Sequence, residues 1–318
     1  MNGTAIASTA SGDTAGTPPL RLGPTEWALL FLHSMLWGSA FFFVDIAKGE
    51  MSAYIIAALR LIPAAAILVV VTSALGLSLL PVLRDWRRFL LLASVNNYIP
   101  FILLIYAQYQ VTGGIAAVFN ATTPLFAAFL AHALTDDEKL SLNKVIGIVV
   151  GIGGVTVLAW QDVATGSSAG LWAKAALLGA ALCYALAGIY GRTFRAIPAF
   201  VVATGQMVWA LVLSIPLAIV IGQPWAMPEP STKAILATLA TGLFASALAS
   251  MCYFTILKRA GATNALLVTL LLPLTPITLG AVFLDQQLKP SDIAGGLLIA
   301  VALLVIDGRA FGFVARRR

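Results

Sequence analysis

The sequence predicts an all-α membrane protein of ten transmembrane helices, arranged as two inverted five-helix repeats around a central cavity. Three observations carry that expectation. Of 318 residues, 60% are hydrophobic and only 10% charged, against about 25% charged in a soluble domain. The apolar residues come in runs of roughly 20, the length that crosses about 30 Å of hydrocarbon as a helix. A transmembrane barrel would show alternating segments of about ten residues instead, and none is found. Finally, the two halves of the chain resemble each other in collinear order, as internal repeats do.

Ten spans follow from the apolar runs, at 26–47, 52–75, 87–109, 112–133, 142–160, 170–191, 198–221, 232–257, 261–283 and 291–310. Turn signals separate them, such as "KGEMS" at 48–52, "TGG" at 112–114, "RAIP" at 195–198 and "QPWAMPEP" at 223–230. The expected organisation is a disordered cytoplasmic tail at 1–25, rich in Thr, Ser, Gly and Ala, then a first repeat at 26–160. A short outer linker at 161–169 leads to the second repeat at 170–310, and a basic cytoplasmic tail closes the chain at 311–318. The N-terminal stretch lacks the charged start and short apolar core of a cleaved signal, so the first run is expected to stay as a membrane helix.

Charge placement sets the expected orientation. With both termini inside, the cytoplasmic side collects fourteen of the 19 Lys and Arg residues, among them Arg84, Arg87, Arg88, Arg192, Arg195 and Arg259. The outer side holds Lys48, Lys174, Lys233 and Lys289, and Arg60 falls inside a span. This asymmetry is the positive-inside rule. It explains the net charge of +6 without a nucleic-acid partner. The expected location is the inner cell membrane, multi-pass, with both termini cytoplasmic.

The repeats pair specific residues. "SAYIIAALRLIPA" (52–64) aligns with "PAFVVATGQMVWA" (198–210), setting Arg60 against Gln206. "TGGIAAVFNATTPLF" (112–126) aligns with "GATNALLVTLLLPLT" (261–275), placing Pro124 on Pro273 and Asn120 on Thr269. "EKLSLNKVIG" (138–147) aligns with "QQLKPSDIAG" (286–295), placing Gly147 on Gly295. Five spans per half is an odd number, so the halves would insert in opposite senses, the architecture of carriers whose site lies at the repeat interface.

Residues 27–66 open with Trp37-Gly38 and a Phe-rich stretch and carry Ala58, Arg60 and Ala64 as A-x-R-x-x-x-A. Together with "TPLFAAFLAHALTDDEKLSLNKVIGIVVGIGGV" (123–155), they resemble the EamA-type transporters of the drug/metabolite transporter superfamily. The likeness covers about residues 26–308. It implies a cavity lined mainly by helices 1–4 and 6–9, helices 5 and 10 at the rear, and export of amino acids, other small metabolites or drugs. Gln286 stands where the family usually has Glu, which weakens an ionic role for the second motif.

The polar residues at membrane depth are the candidate substrate contacts. At 1.5 Å per residue, Arg60, Asn97, Asn120 and Gln206 each lie about 12–13 Å along their helices, in one central slab. Asn97 and Gln108, eleven residues or three turns apart, share a face with Phe101 and Leu104, and Asn96 points about 100° away. An unpaired amide in hydrocarbon is costly, so these side chains either glue helices together or line a wet cavity. A cation at the depth of Arg60 costs at least about 2.5–3.5 kcal/mol; it is either a structural, outward-reaching group or a fixed charge for a substrate carboxylate. His33, Trp37 and Phe41 stack along the first span, where His33 reads as a packing residue or a proton carrier. Tyr184, Tyr253 and Thr269 complete the cavity candidates. "GIVVGIGG" (147–154) has small residues at helix-packing spacing.

The functional expectation is a carrier exporting a small neutral or zwitterionic metabolite, an amino acid first, by alternating access. A multidrug, nucleoside or other metabolite exporter is the alternative within this class. From other classes, a lipid-processing enzyme or scaffold would need a polar catalytic cluster that the loops do not offer, and a channel would lack alternate closure. No phosphate-binding loop, metal-ligand set or catalytic triad is written in the chain, the two cysteines form no framework, and no cofactor is expected. The expected partners are a small-molecule substrate and the bilayer, with monomer and homodimer both open.

The charge asymmetry makes a direct prediction. Cysteines introduced into the Gly222–Pro230 loop should react with an impermeant reagent from outside, and cysteines beside Arg84 only from inside. The reverse accessibility would overturn the orientation.

Overall fold

The computed structural model describes residues 23–134, 141–253, 255–256, 259 and 268–307. The tail up to residue 22, the carboxylate cluster at 136–139, the start of the ninth expected span and the basic tail at 311–318 lie outside the described residues.

Eight helices are long and apolar enough to cross a membrane. They are α1 (Pro24–Ala47), α2 (Ala53–Ala74), α3 (Trp86–Gln108), α4 (Gly113–Leu134), α5 (Leu142–Thr165), α6 (Ser168–Phe194), α7 (Ala199–Val220) and α8 (Thr232–Tyr253). Two shorter apolar segments follow, α9 (Val268–Phe283) and α10 (Pro290–Ile306). Their bounds lie within a few residues of the apolar runs, because hydropathy and turn chemistry act together. Ser52, Thr112, Ser141, Ser167 and Ser231 sit at helix N-caps, each accepting a backbone N–H from the first turn. That satisfies donors the helix cannot pair itself.

Four of these helices depart from regular α geometry in their interiors. The turn Ser94–Tyr98 of α3 is a π-helix, with the Ile99 N–H reaching back to the Ser94 carbonyl. Pro100 follows directly and has no N–H to give the Asn96 carbonyl, so widening the preceding turn costs little there. A second π stretch, Thr241–Leu248, lies in α8. Helix α4 breaks at Ala121–Thr122, just before Pro124, and α9 breaks at Leu272–Pro273. The carbonyl of Asn120, which Pro124 cannot serve, accepts instead from the Thr123 hydroxyl at 2.7 Å. The Phe119 carbonyl accepts from Thr122 at 2.6 Å. Threonine hydroxyls thus re-satisfy backbone that a proline has freed, as a membrane interior requires.

Packing follows small residues. Helices α5 and α10 lie against each other at Gly154 and Gly295, where a Cβ on either glycine would meet the other's carbonyl oxygen at 2.9 Å. This places the "GIVVGIGG" stripe against α10 within the chain. Helices α2 and α7 cross through Thr72 and Thr204, whose hydroxyls are 2.6 Å apart, and Thr204 also donates to the Leu68 carbonyl. Around that crossing lies the apolar core of Ile56, Leu61, Leu68, Ile105, Met207 and their alanine neighbours.

The two ends of the bundle are tied differently. At one end, Glu50 in the α1–α2 turn accepts the Ser231 N–H and hydroxyl at the start of α8. Those two donors hold its carboxyl below the ordinary range. Tyr109 donates to the Met51 carbonyl at 2.8 Å, and Lys174 pairs with Asp162. At the other end, Arg259 pairs with Glu26 at 3.0 Å, and Arg88 donates to the Thr193 carbonyl at 2.8 Å. These ends are called here the Asp45 end and the arginine end.

The tightest helix contact can be tested. A Cβ on Gly242, inside the α8 π stretch, would lie 2.0 Å from the Arg60 carbonyl oxygen. Gly242→Ala should therefore force α2 and α8 apart and cost about 1–3 kcal/mol, read as a lower midpoint in thermal unfolding of the purified protein. An unchanged midpoint would show that the two helices separate freely.

Candidate functional site

A central cavity is bounded by five helices. Trp37, Ala40, Phe41 and Val44 come from α1 and Arg60 from α2. Phe101, Leu104, Ile105 and Gln108 come from α3, Asn120 from α4 and Tyr184 from α6. About 20 Å³ is open to the centre of a water molecule, room for roughly one. Of the sequence candidates, Trp37, Phe41, Arg60, Phe101, Gln108, Asn120 and Tyr184 are brought together on this wall.

Arg60 dominates the electrostatics. It is 5% exposed, its Nη2 donates to the Ser246 hydroxyl at 3.1 Å, and its Cζ sits 3.8 Å from the centre of the Phe101 ring. A guanidinium offers five N–H donors, and its Nε has no partner. Among the described residues no carboxylate pairs with it. On the same wall, Asn120 is 3% exposed and its Oδ1 has no donor. The residues of the wall thus include one guanidinium with an unpartnered Nε and one amide with an unpartnered Oδ1, among aromatic faces.

The remaining candidates sit behind this wall. His33 is buried, bonded to the Ala249 backbone, with its other ring nitrogen unpartnered. Its ring lies 5.6 Å from that of Trp37 and 5.7 Å from that of Tyr253. Trp37 in turn meets Tyr184 edge-on at 6.5 Å, so an aromatic column runs from His33 to the cavity. Gln206 accepts from Asn96 at 2.7 Å and is not on the cavity wall. Asn97 is buried with its Nδ2 unpartnered, also off the wall. It belongs to the π turn, whose extra residue takes it off the face of Phe101, Leu104 and Gln108. Thr269 lies on the first turn of α9, half-buried and outside the wall.

Sequence-aligned positions make matching contacts. Arg60 on α2 reaches the π stretch of α8 through Ser246, and Gln206 on α7 reaches the π turn of α3 through Asn96.

Two features escaped the sequence reading. Ser246 is one of many small residues in α8, and nothing in its spacing distinguishes it. Asp45 lies two residues from the end of α1, yet its side chain is only 2% exposed. It accepts from Lys48 at 2.9 Å, Gln108 Nε2 at 3.0 Å, the Gly113 N–H at 2.7 Å and Gln286 Nε2 at 2.9 Å. The usable signal was Gln286 itself, an amide where a carboxylate is customary.

Arg60 allows a sharp separation of stability from function. A buried charge lacking a carboxylate is poor value for folding, and apolar replacement of buried ionic groups is often neutral or stabilising. Arg60→Met should leave the thermal midpoint equal or higher while abolishing vesicle transport. A large fall in the midpoint would make the guanidinium a structural group.

Comparison with known proteins agrees with this architecture. The EamA-like transporter family matches twice, over residues 25–160 and 171–307. Protein PagO of Salmonella typhimurium is 28% identical over 79% of this chain and 82% of its own length. Protein PecM of Dickeya dadantii is 28% identical over 87% of this chain and 90% of its own. The uncharacterized inner membrane transporter YedA of Escherichia coli is 25% identical, covering 88% and 90%. A solved crystal structure superposes with a TM-score of 0.63 at 18% identity, over 89% of this chain and 97% of that one, which concerns the fold alone. With eight span-length and two shorter apolar helices among the described residues, a buried polar centre and a twofold family match, the chain belongs to the EamA-like transporter family and is a multi-pass membrane transporter.

Proposed function

We propose that this transporter exports a small neutral or zwitterionic metabolite, an amino acid first, across the inner membrane by alternating access. The observation that carries the reading is the pairing on one cavity wall of an unmet cationic donor, Arg60, with an unmet acceptor, Asn120 Oδ1, among Trp37, Phe41, Phe101 and Tyr184. A carboxylate suits the guanidinium, an ammonium suits the amide oxygen, and an apolar side chain suits the rings. The inner-membrane assignment is supported by the name of the YedA relative, and termini on the cytoplasmic side by the lysine and arginine count.

Alternating access is supported by the matched contacts of Arg60 and Gln206 and by the paired irregularities of α3 with α8 and α4 with α9. In this reading the repeats 26–160 and 170–310 are inverted and rock about the cavity. Irregular turns, with backbone bonds already loosened, supply the places where helices bend. The cavity has room for about one water, so helices must part for a metabolite to enter. His33, held among aromatic rings and bonded to Ala249, acts as a packing group, and substrate moves down its own gradient or by exchange.

A proteoliposome screen of amino acids and other small metabolites, with and without a pH gradient, tests the reading. Counterflow of a zwitterion should be saturable, fall strongly in Asn120→Leu with little loss of thermal stability, and persist in His33→Asn. Activity and stability falling in proportion would make the amide structural glue. Uphill uptake that collapses with a protonophore and vanishes in His33→Asn would make this a proton antiporter with His33 as the coupling residue.

A further inference from the structure

The Asp45 carboxylate is the best-coordinated buried anion among the described residues, and its partners come from separate parts of the bundle. Lys48 is in the α1–α2 turn, Gln108 ends α3, Gly113 begins α4, and Gln286 follows α9. Lys48 adds bonds to the Gln108 and Val111 carbonyls. One side chain therefore ties together α1, the end of α3, the start of α4 and the segment after α9. Charge-assisted bonds at a buried carboxylate are roughly twice as strong as neutral ones. Among the described residues of the arginine end the pairs are more exposed, with Arg259 half exposed and Arg88 and Asp85 both over a third exposed, where such pairs contribute little.

From this geometry we infer that Asp45 is the latch of a gate at its end of the transporter, and that Gln108 connects the latch to the cavity. Gln108 lines the cavity wall, yet its Nε2 donates to both the Asp45 carboxylate and the Phe41 carbonyl, at 3.0 and 2.8 Å. A cavity ligand bearing an acceptor competes for these same amide protons. Binding such a ligand withdraws one donor from Asp45 and loosens the gate from within. Gln286 fits the role by being uncharged: a carboxylate in its place, 2.9 Å from Asp45 Oδ2, would repel the latch instead of bonding to it. Asp45 acts as a positioning residue throughout, since it is not on the cavity wall. The inference rests on the alternating-access reading.

The test uses the full chain with Cys183 and Cys252 replaced by alanine and a single probe cysteine, Ala40→Cys, on the cavity wall. Sealed vesicles of both orientations are labelled with a membrane-impermeant maleimide. In the parent, the probe should label slowly from the Asp45 side. Asp45→Asn and Gln286→Glu should each raise labelling from that side about tenfold, the effect of losing one bond to a charged group, and lower it from the arginine side. Unchanged Asp45-side labelling in Gln286→Glu, with its thermal midpoint intact, would overturn the latch. Labelling raised from both sides together with a lowered midpoint would also overturn it, as general loosening. A parent probe that labels from one side only, at every reagent time, would sink alternating access itself and the latch with it.

Discussion

A guanidinium in the middle of an apolar bundle constrains everything around it. Placing a cation at that depth costs several kcal/mol, and Arg60 has no anion among the described residues to offset it. What surrounds it is a set of partial remedies: one hydroxyl at 3.1 Å, one aromatic face at 3.8 Å, and α8 drawn close through a glycine. Only Gly242 admits the Arg60 backbone at the observed approach, and only a small side chain such as Ser246 lets the guanidinium lie beside α8. The π stretch occupies these same residues. A widened turn and a small-residue run are thus two aspects of seating one charge.

The same economy governs the prolines. In water a broken helix finds solvent; in lipid its carbonyls must be met inside the protein. Thr122 and Thr123 do this next to Pro124, and the break they stabilise directly follows Asn120 of the cavity wall. A wall residue and a helix irregularity are therefore neighbours in the chain. Regular helices would turn backbone polarity entirely inward, leaving only side chains to recognise anything.

Much of the fold was legible because hydropathy and capping are local signals: the spans, their Ser/Thr starts and the small-residue stripe of α5 all follow from neighbouring residues. Of the seven candidates that the structure gathers on one wall, Arg60 and Asn120 follow from depth, which needs only a rise per residue, and Phe101 and Gln108 from a shared helix face; Asn97 and Gln206, placed by the same depth, lie off the wall. Direction within the slab was less accessible. Projecting Asn97 onto the face of Phe101 and Gln108 assumes an ideal helix, and the π turn at Ser94–Tyr98 breaks that assumption. Pro100 marked the neighbourhood of the irregularity without giving its type. Asp45 escaped because three of its four partners, Gln108, Gly113 and Gln286, are far away in sequence, and the i,i+3 pair with Lys48 by itself looks like an ordinary helix-end ion pair.

The unmet polar atoms also bear on what the cavity selects. An unpaired buried donor or acceptor costs about 1–3 kcal/mol, and the wall carries two of opposite kind, Arg60 Nε and Asn120 Oδ1. One water can relieve part of this cost, and the space admits about one. A ligand with an anionic group and a donor relieves both at once, whereas a plain hydrocarbon relieves neither and displaces the water as well. Discrimination of this kind is strong, because the rejected molecule leaves the protein's own groups unpaired. The aromatic rings add affinity with little demand on side-chain shape. On the proposed reading, such a wall is exacting about head group and tolerant about side chain, so ligands that share one head group should compete for it whatever their side chains.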